Sequence, residues 1–461
     1  MVSLRVREWV LACALVAVPA GAQQTTTPPQ TAPAQEPDPG ALEQRLRVLE
    51  RKLELADEQA AEKAKAATST TVGPEGLAVR SADGSFQLRL RGLVQTDGRF
   101  FLADDERPIS DTLVLRRARP IVEGTLFKFV DFRLMPDFGS GSSVLLDAYL
   151  DLRISPALRV RAGKAKVPVG FEALLDDAHL AFIERGVPSS LAPVRDVGVQ
   201  AGGEPMDGKV VWAVGAFNGV TDGGSGDGDS NDGKDFTARV VCRPFQPPAG
   251  GTPSRVGLGV GLAASLGEQE GTAAAPSLAS YRTPGQQVFF SYRSDGTAPG
   301  TAVADGDHRR LAPQGWIHAG PWFAFAEWTS SEQEVVRDAS RSDLTHVAWQ
   351  VSTSWAVTGE AVTERGLTPA RPFAPGGEGR GAVLLSLRYG QLTIDDGAFP
   401  FYADPARSAR RATNLGGSVG WLLTRGVKLV LDGQRTEFDG GASAGDRETE
   451  NVLLARVQLA F

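Results

Sequence analysis

The chain has 461 residues with 55 acidic against 48 basic side chains, and this net charge of -7 argues against nucleic acid as a partner. Its only two cysteines are Cys13 and Cys242, and the first falls in an expected leader, so neither a disulfide framework nor a cysteine metal site is available. Beyond that leader no segment approaches the roughly 18 to 20 apolar residues of a spanning helix, so any membrane crossing must be made by strands, which 53 glycines and 7% aromatic residues suit.

In chain order, Arg5 and Arg7 precede an apolar stretch from Trp9 to Val18, and Ala20-Gly21-Ala22 stands before Gln23. This predicts a secretory signal peptide over 1–22; a lipoprotein signal at Cys13 is disfavoured by the few apolar residues that separate it from Arg7. Residues 23–40 are mostly Thr, Pro, Ala and Gln and read as a flexible linker. Leu42, Leu46, Leu49, Leu53, Ala56 and Ala60 then alternate steps of four and three, a heptad seam over 41–67 that reads equally as a solvated amphipathic helix. A second linker is expected over 68–84.

From Ser85 the period becomes two. In Phe86 to Phe100 the apolar set Phe86, Leu88, Leu90 and Val94 opposes Gln87, Arg89, Arg91, Gln95 and Arg99. Strands are expected at 85–101, 112–127, 128–137, 143–154, 157–167, 196–205, 208–219, 234–245, 255–267, 309–319, 321–335, 343–358, 381–395, 411–424, 426–438 and 448–461. The segment 286–292 also alternates, but an even strand number places it inside a long external loop. Short connections such as Ser155-Pro156 alternate with long ones such as Pro168 to Arg195, as periplasmic turns and external loops do. The Pro- and Gly-rich stretch 359–379 is an exception, falling on the short side. At the C-terminus Leu453, Ala455, Val457, Leu459 and Phe461 share one face, with Leu454, Arg456 and Gln458 on the other. The fold class predicted is all-β: a sixteen-stranded antiparallel transmembrane β-barrel over 85–461, in the outer membrane, preceded by a periplasmic helical segment.

Basic residues crowd the first five strands: Arg89, Arg91, Arg99, Arg116, Arg117, Arg119, Arg133, Arg153, Arg159, Arg161, Lys164 and Lys166. Leu158, Val160 and Ala162 alternate with Arg159 and Arg161, and a charged side chain facing lipid near the midplane costs about 2 to 4 kcal/mol, so the arginines belong in the lumen. Guanidiniums lining a pore replace part of an anion's hydration shell. The plainer reading is that they balance Asp131, Asp137, Asp147 and Asp151 in a generic polar wall. Asp227, Asp229, Asn231 and Asp232 suggest a calcium loop but lack its glycine register and distal carboxylate. Gly257, Gly259 and Gly261 precede no helix that would make a dinucleotide site. His179, His308, His318 and His346 show no ligand spacing, and no Ser, His and Asp set is recognisable. No enzyme, cofactor or metal is expected.

Leu115 to Gly139 (LRRARPIVEGTLFKFVDFRLMPDFG), Asp147 to Leu152 (DAYLDL) and Gly163 to Glu172 (GKAKVPVGFE) carry a resemblance that Phe182 to Pro188, Arg195 to Gly203, Gly215 to Gly219, Thr358 to Glu360, Arg371 to Ala382, Leu387 to Gly390 and Arg456 to Phe461 continue in order. Together they resemble the phosphate-selective porin O and P family. The resemblance implies a trimeric sixteen-stranded channel whose third loop folds inward and whose arginine ladder leads anions to a central lysine. Carried over, Val167 to Arg195 resembles the constriction loop and Arg116 with Arg117 the ladder, while Lys164 or Lys166 would meet permeating anions. Both lysines have the parity of lipid-facing Leu158, which calls for a bulge near Gly163 or a position above the lipid. The loop departs from the family in its acidity, since Glu172, Asp176, Asp177 and Glu184 outnumber Arg185, which counts against strong phosphate selectivity. The expected function is passive diffusion of small anions such as phosphate past Arg89, Arg91, Arg116, Arg117, Arg133, Arg159, Arg161, Lys164 and Lys166, in a homotrimer embedded in outer-membrane lipid. The alternative is a general or plugged structural or adhesive barrel working through the acidic loop from Asp222 to Asp235.

Overall fold

The computed structural model describes residues 39–102, 109–229, 231–245 and 256–461. The expected signal peptide and nearly all of the first linker lie outside them. Among the described residues, those up to Lys65 form one unit and those from Ala66 to Phe461 another. In the first, Pro39–Ala66 is a helix (α1) on which Leu42, Leu46, Leu49 and Leu53 are all exposed.

The second unit is a closed barrel. Its strands are β1 (Gln87–Leu102), β2 (Thr112–Leu126), β3 (Val130–Asp137), β4 (Val144–Ser155), β5 (Leu158–Lys166), β6 (Arg195–Gly203), β7 (Val210–Phe217) and β8 (Asp235–Cys242). The far half comprises β9 (Val256–Glu270), β10 (Val303–Ala319), β11 (Trp322–Arg337), β12 (Ser340–Ala356), β13 (Ala382–Thr393), β14 (Ala409–Leu422), β15 (Val427–Gly440) and β16 (Glu450–Ala460). Each strand pairs antiparallel with the next, and β16 closes on β1 through Val457↔Thr96 and Leu459↔Val94. The terminal Phe461 exchanges backbone hydrogen bonds with Gly92 at 2.9 and 3.0 Å, so the last residue is part of the seam.

Burial runs opposite to that of a water-soluble protein. On β16, Leu453, Val457 and Leu459 are exposed while Arg456 and Gln458 are buried. Gln95, Thr329, Gln350 and Asp432 are likewise buried on other walls, whereas Leu90, Leu150, Val260, Leu387 and Leu431 face outward. A barrel in lipid wants its apolar set outside and satisfies its polar set across the lumen, and period two supplies both from one strand. Trp322 and Trp355 stack on the outer face with centroids 5.2 Å apart, beside a short turn, as girdle aromatics do.

Three connections do not stay at the rim. Residues 167–194, between β5 and β6, cross the lumen: Glu327 of β11 accepts from the backbone N–H of Phe171, Asp432 of β15 from that of Ile183, and Ser418 of β14 donates to the Ala181 carbonyl. Residues 357–381, the long connection on the short side, tuck in beneath that loop. Val362 and Leu367 are buried with Phe171, Trp316, Phe323 and Leu384, so the unusual length is spent filling lumen. Residues 271–302 bend inward from the other end, where Phe289, Phe290 and Tyr281 pack with Leu344, Leu392 and Phe438. Within this last loop Val288–Phe290 pairs with Tyr281–Arg282, the ribbon that 286–292 suggested.

Two differences from expectation have physical causes. Residues 68–84, expected as a linker, contain a hairpin of Ser69–Gly73 and Gly76–Arg80 whose second strand pairs with β1. Leu77 and Val79 are too short an apolar alternation to announce it. β10 starts at Val303 rather than 309, because its outer end bears exposed ion pairs such as Arg341 to Asp305 at 2.5 Å. Above the hydrocarbon both faces are wet, and the period-two signal fades.

Candidate functional site

The space that the inner loop leaves open lies against the wall of β1 to β5. On the external side a cavity of about 580 Å³ is lined by Arg116, Arg117 and Arg119 of β2, by Arg185 of the loop and by Arg195 of β6. On the periplasmic side a cavity of about 260 Å³ is lined by Arg89, Arg133, Arg159 and Arg161. Asp147 joins the two groups, accepting from Arg195 Nε at 2.8 Å and standing 3.2 Å from Arg133 Nε. A line of guanidiniums therefore follows one wall from mouth to mouth. Local sequence puts it there: on each strand the apolar alternate positions claim the lipid face and leave the arginines inside.

Most of these cations are paired. Glu123 meets Arg89 at 3.7 Å, Arg91 at 3.4 Å and Arg133 at 3.3 Å. Arg161 holds Asp151 at 2.7 Å and lies over the Tyr149 ring. Arg119 bridges Asp137 and Asp177, while Arg117 holds Asp177 at 3.2 Å. Arg116 makes a two-pronged contact with Glu184 at 2.6 and 3.1 Å. Arg159 is half-buried, lines the periplasmic cavity and has no hydrogen-bond or ion-pair partner among the described residues. Five arginines in or beside that cavity face Glu123, Asp131 and Asp151, which leaves it positive.

The inner loop is held by charge. Burial would raise the Glu184 carboxyl, but the Arg116 and Arg117 guanidiniums outweigh it and hold the group down to about 2. Asp177 is likewise kept well below the usual carboxylate range against burial by Arg117, Arg185 and Arg119. Asp177 and Glu184 thus serve as counter-ions that dock the loop on the arginine wall.

Lys164 and Lys166 take other partners. The ladder runs through Gly163 without a register shift, Ala148 opposing Lys164 and Lys166 opposing Arg195. No bulge reorients them. Lys164 Nζ binds Asp227 of the connection after β7, and Lys166 Nζ donates to the carbonyls of Ala173 and Leu175 at 3.1 and 2.6 Å. Both brace loops at the outer end of β5. Asp229 in the same connection binds Lys234, while Asp222 accepts from Arg310. Arg185, Arg195 and Arg456 join the lumenal charge without having stood out in the sequence. Arg195 opens a strand with no flanking alternation, and only the folded loop brings Arg185 to Asp177.

Residues 86–461 match the family model described as phosphate-selective porin O and P. Among solved structures, the outer membrane channel DcaP of Acinetobacter baumannii superposes with a TM-score of 0.51 at 12% identity, over 82% of this chain and 98% of that one. OprB of Pseudomonas putida gives 0.50 at 11% identity, over 82% and 95%. At such identities the likeness is one of fold. No curated protein matches the sequence.

Proposed function

We propose that this chain, which belongs to the phosphate-selective porin O and P family and forms an outer-membrane porin, passes small inorganic anions such as phosphate along the arginine wall of β1 to β5. The observation that carries this reading is the continuity of guanidiniums through both cavities, joined at Asp147, with Arg159, unpaired among the described residues, at the periplasmic end. A cation field in a confined, low-dielectric passage raises local anion concentration and excludes cations, and no covalent chemistry is required. Arg89, Arg91, Arg133, Arg159 and Arg161 set the field of the inner mouth; Arg116 and Arg117 set that of the outer one. Because nearly every arginine has a carboxylate within reach, the channel prefers anions without holding any one of them tightly. The functional unit is taken as a homotrimer in which the helical segment 41–67 packs its leucine seam between copies.

The reversal potential of the purified channel across a KCl gradient tests this. An anion-preferring value that collapses toward neutrality at high salt is expected, because screening shortens the field to about 3 Å near 1 M. A cation-preferring value overturns it. Absence of any conducting step from folded protein would instead identify a plugged barrel.

A further inference from the structure

Glu184 occupies an unusual place. The residue is 6% exposed. Four guanidiniums stand within 4.0 Å of it: Arg116 at 2.6 Å, Arg117 at 3.8 Å, Arg99 at 3.9 Å and Arg456 at 4.0 Å. These come from β1, β2 and β16, so the cage is part of the wall, while the carboxylate arrives from the inner loop. Arg117 and Arg456 have other acids, Asp177 at 3.2 Å and Asp97 at 2.7 Å. Arg99 and Arg116 have Glu184 as their one ion-pair partner among the described residues. The backbone of the same residue is fixed independently, its carbonyl accepting from Arg388 at 2.9 Å on the opposite wall. Glu184, Arg116 and Arg117 all line the outer cavity, so the cage opens on the permeation path.

A carboxylate held on a two-pronged guanidinium with further arginines around it has the recognition chemistry of a free oxyanion. We infer that Glu184 is a tethered anion that fills an oxyanion site of the channel wall, keeping that site from capturing phosphate and setting the degree of anion preference. The inference deepens the anion-channel reading and rests on it. With Glu184 in place, a passing phosphate meets a cage that has lost one of its two uncommitted charges, and moves on. Without its charge, Arg99 and Arg116 lose their one ion-pair partner among the described residues, and Arg116 stands on the cavity.

The test compares the full-length channel with Glu184→Gln, an amide that keeps the shape and can still accept from Arg116. A unit charge ~6 Å from a permeating ion in a water-like medium is worth a factor of about three in that ion's local concentration. Chloride should therefore gain about threefold and potassium lose as much, so the chloride-to-potassium permeability ratio should rise about ninefold over the unmodified channel, and millimolar inorganic phosphate should newly inhibit chloride current. Equal ratios with no phosphate inhibition overturn the inference. So does a larger, less selective conductance, which would make Glu184 only a latch for its loop. The unmodified channel supplies a check that does not depend on the variant folding: its chloride current should be insensitive to millimolar phosphate, and inhibition there would mean the cage is already open to anions. The reversal potential of the unmodified channel tests the anion reading itself, so the two can fail separately.

Discussion

At the scale of single residues, Arg159 and Arg161 separate two roles that their sequence positions make look alike. Both alternate with lipid-facing side chains on β5, yet Arg161 holds Asp151, which is 3% exposed, whereas Arg159 is unpaired among the described residues. Arg159→Ala should lower anion conductance and leave unfolding in urea unchanged, since lumen positions tune selectivity more than they stabilise the wall. Arg161→Ala should also lower conductance, but leaves a buried carboxylate without its cation and costs about 1 to 3 kcal/mol of stability. Conductance at low salt and urea midpoints of the two variants measure this; equal midpoints would mean that Asp151 finds another partner. Both losses should shrink toward 1 M salt.

At the scale of elements, the inner loop is the decisive one, and its anchors lie on both walls. On the far side Lys428 Nζ donates to the carbonyls of Ala178 and Leu180 at 3.1 and 2.8 Å. Lys428→Met removes both bonds and leaves the Leu180 carbonyl without this donor, which should cost about 1 to 3 kcal/mol. The expected readout is faster proteolysis within 167–194 and noisier single-channel current in a barrel that still folds; unchanged proteolysis would assign the anchoring to Gln458, which also reaches Ala178. On the near side the anchors are carboxylates whose folded values are depressed, Glu184 to about 2. Their contribution is complete above the unfolded value of roughly 4.3 and is lost only as pH falls through the folded one. The difference in conductance between the unmodified channel and Glu184→Gln should therefore hold steady from pH 7 to about 4 and vanish only as pH approaches 2. A transition near pH 5 would contradict the assignment.

At the scale of the whole molecule, the barrel depends on a seam between its first strand and its last. A Cβ on Gly92 would stand 2.6 Å from the Phe461 ring, so this glycine makes room for the terminal aromatic. Gly92→Val should displace Phe461 and reduce the heat-modifiable folded band in gel electrophoresis. Gly433→Ala, where nothing lies closer than 4.0 Å, should not. Equal folding of the two would show that closure tolerates loss of the Phe461 contact.

The sequence alone determined the sixteen-stranded barrel and the lumenal side of its first, fifth and last strands. These rest on period-two alternation between lipid and water, a signal each strand carries within itself, as Leu158 to Ala162 and Leu453 to Phe461 do. The tertiary structure decided how much of the lumenal charge remains free. Nothing in the spacing of Glu184 or Asp177 shows which arginines they meet, because Arg116 lies 68 residues from the first and Arg119 58 from the second, both on β2. Lys164 and Lys166 looked like ligands for anions because they sit beside the loop, but Asp227 and two carbonyls satisfy them once the loops fold over β5. The stretch 359–379 had no reading until Val362 and Leu367 were seen buried under Phe171. Strand faces follow from local chemistry, whereas pairing across a lumen depends on which loops enter it, and that is settled only when the barrel closes.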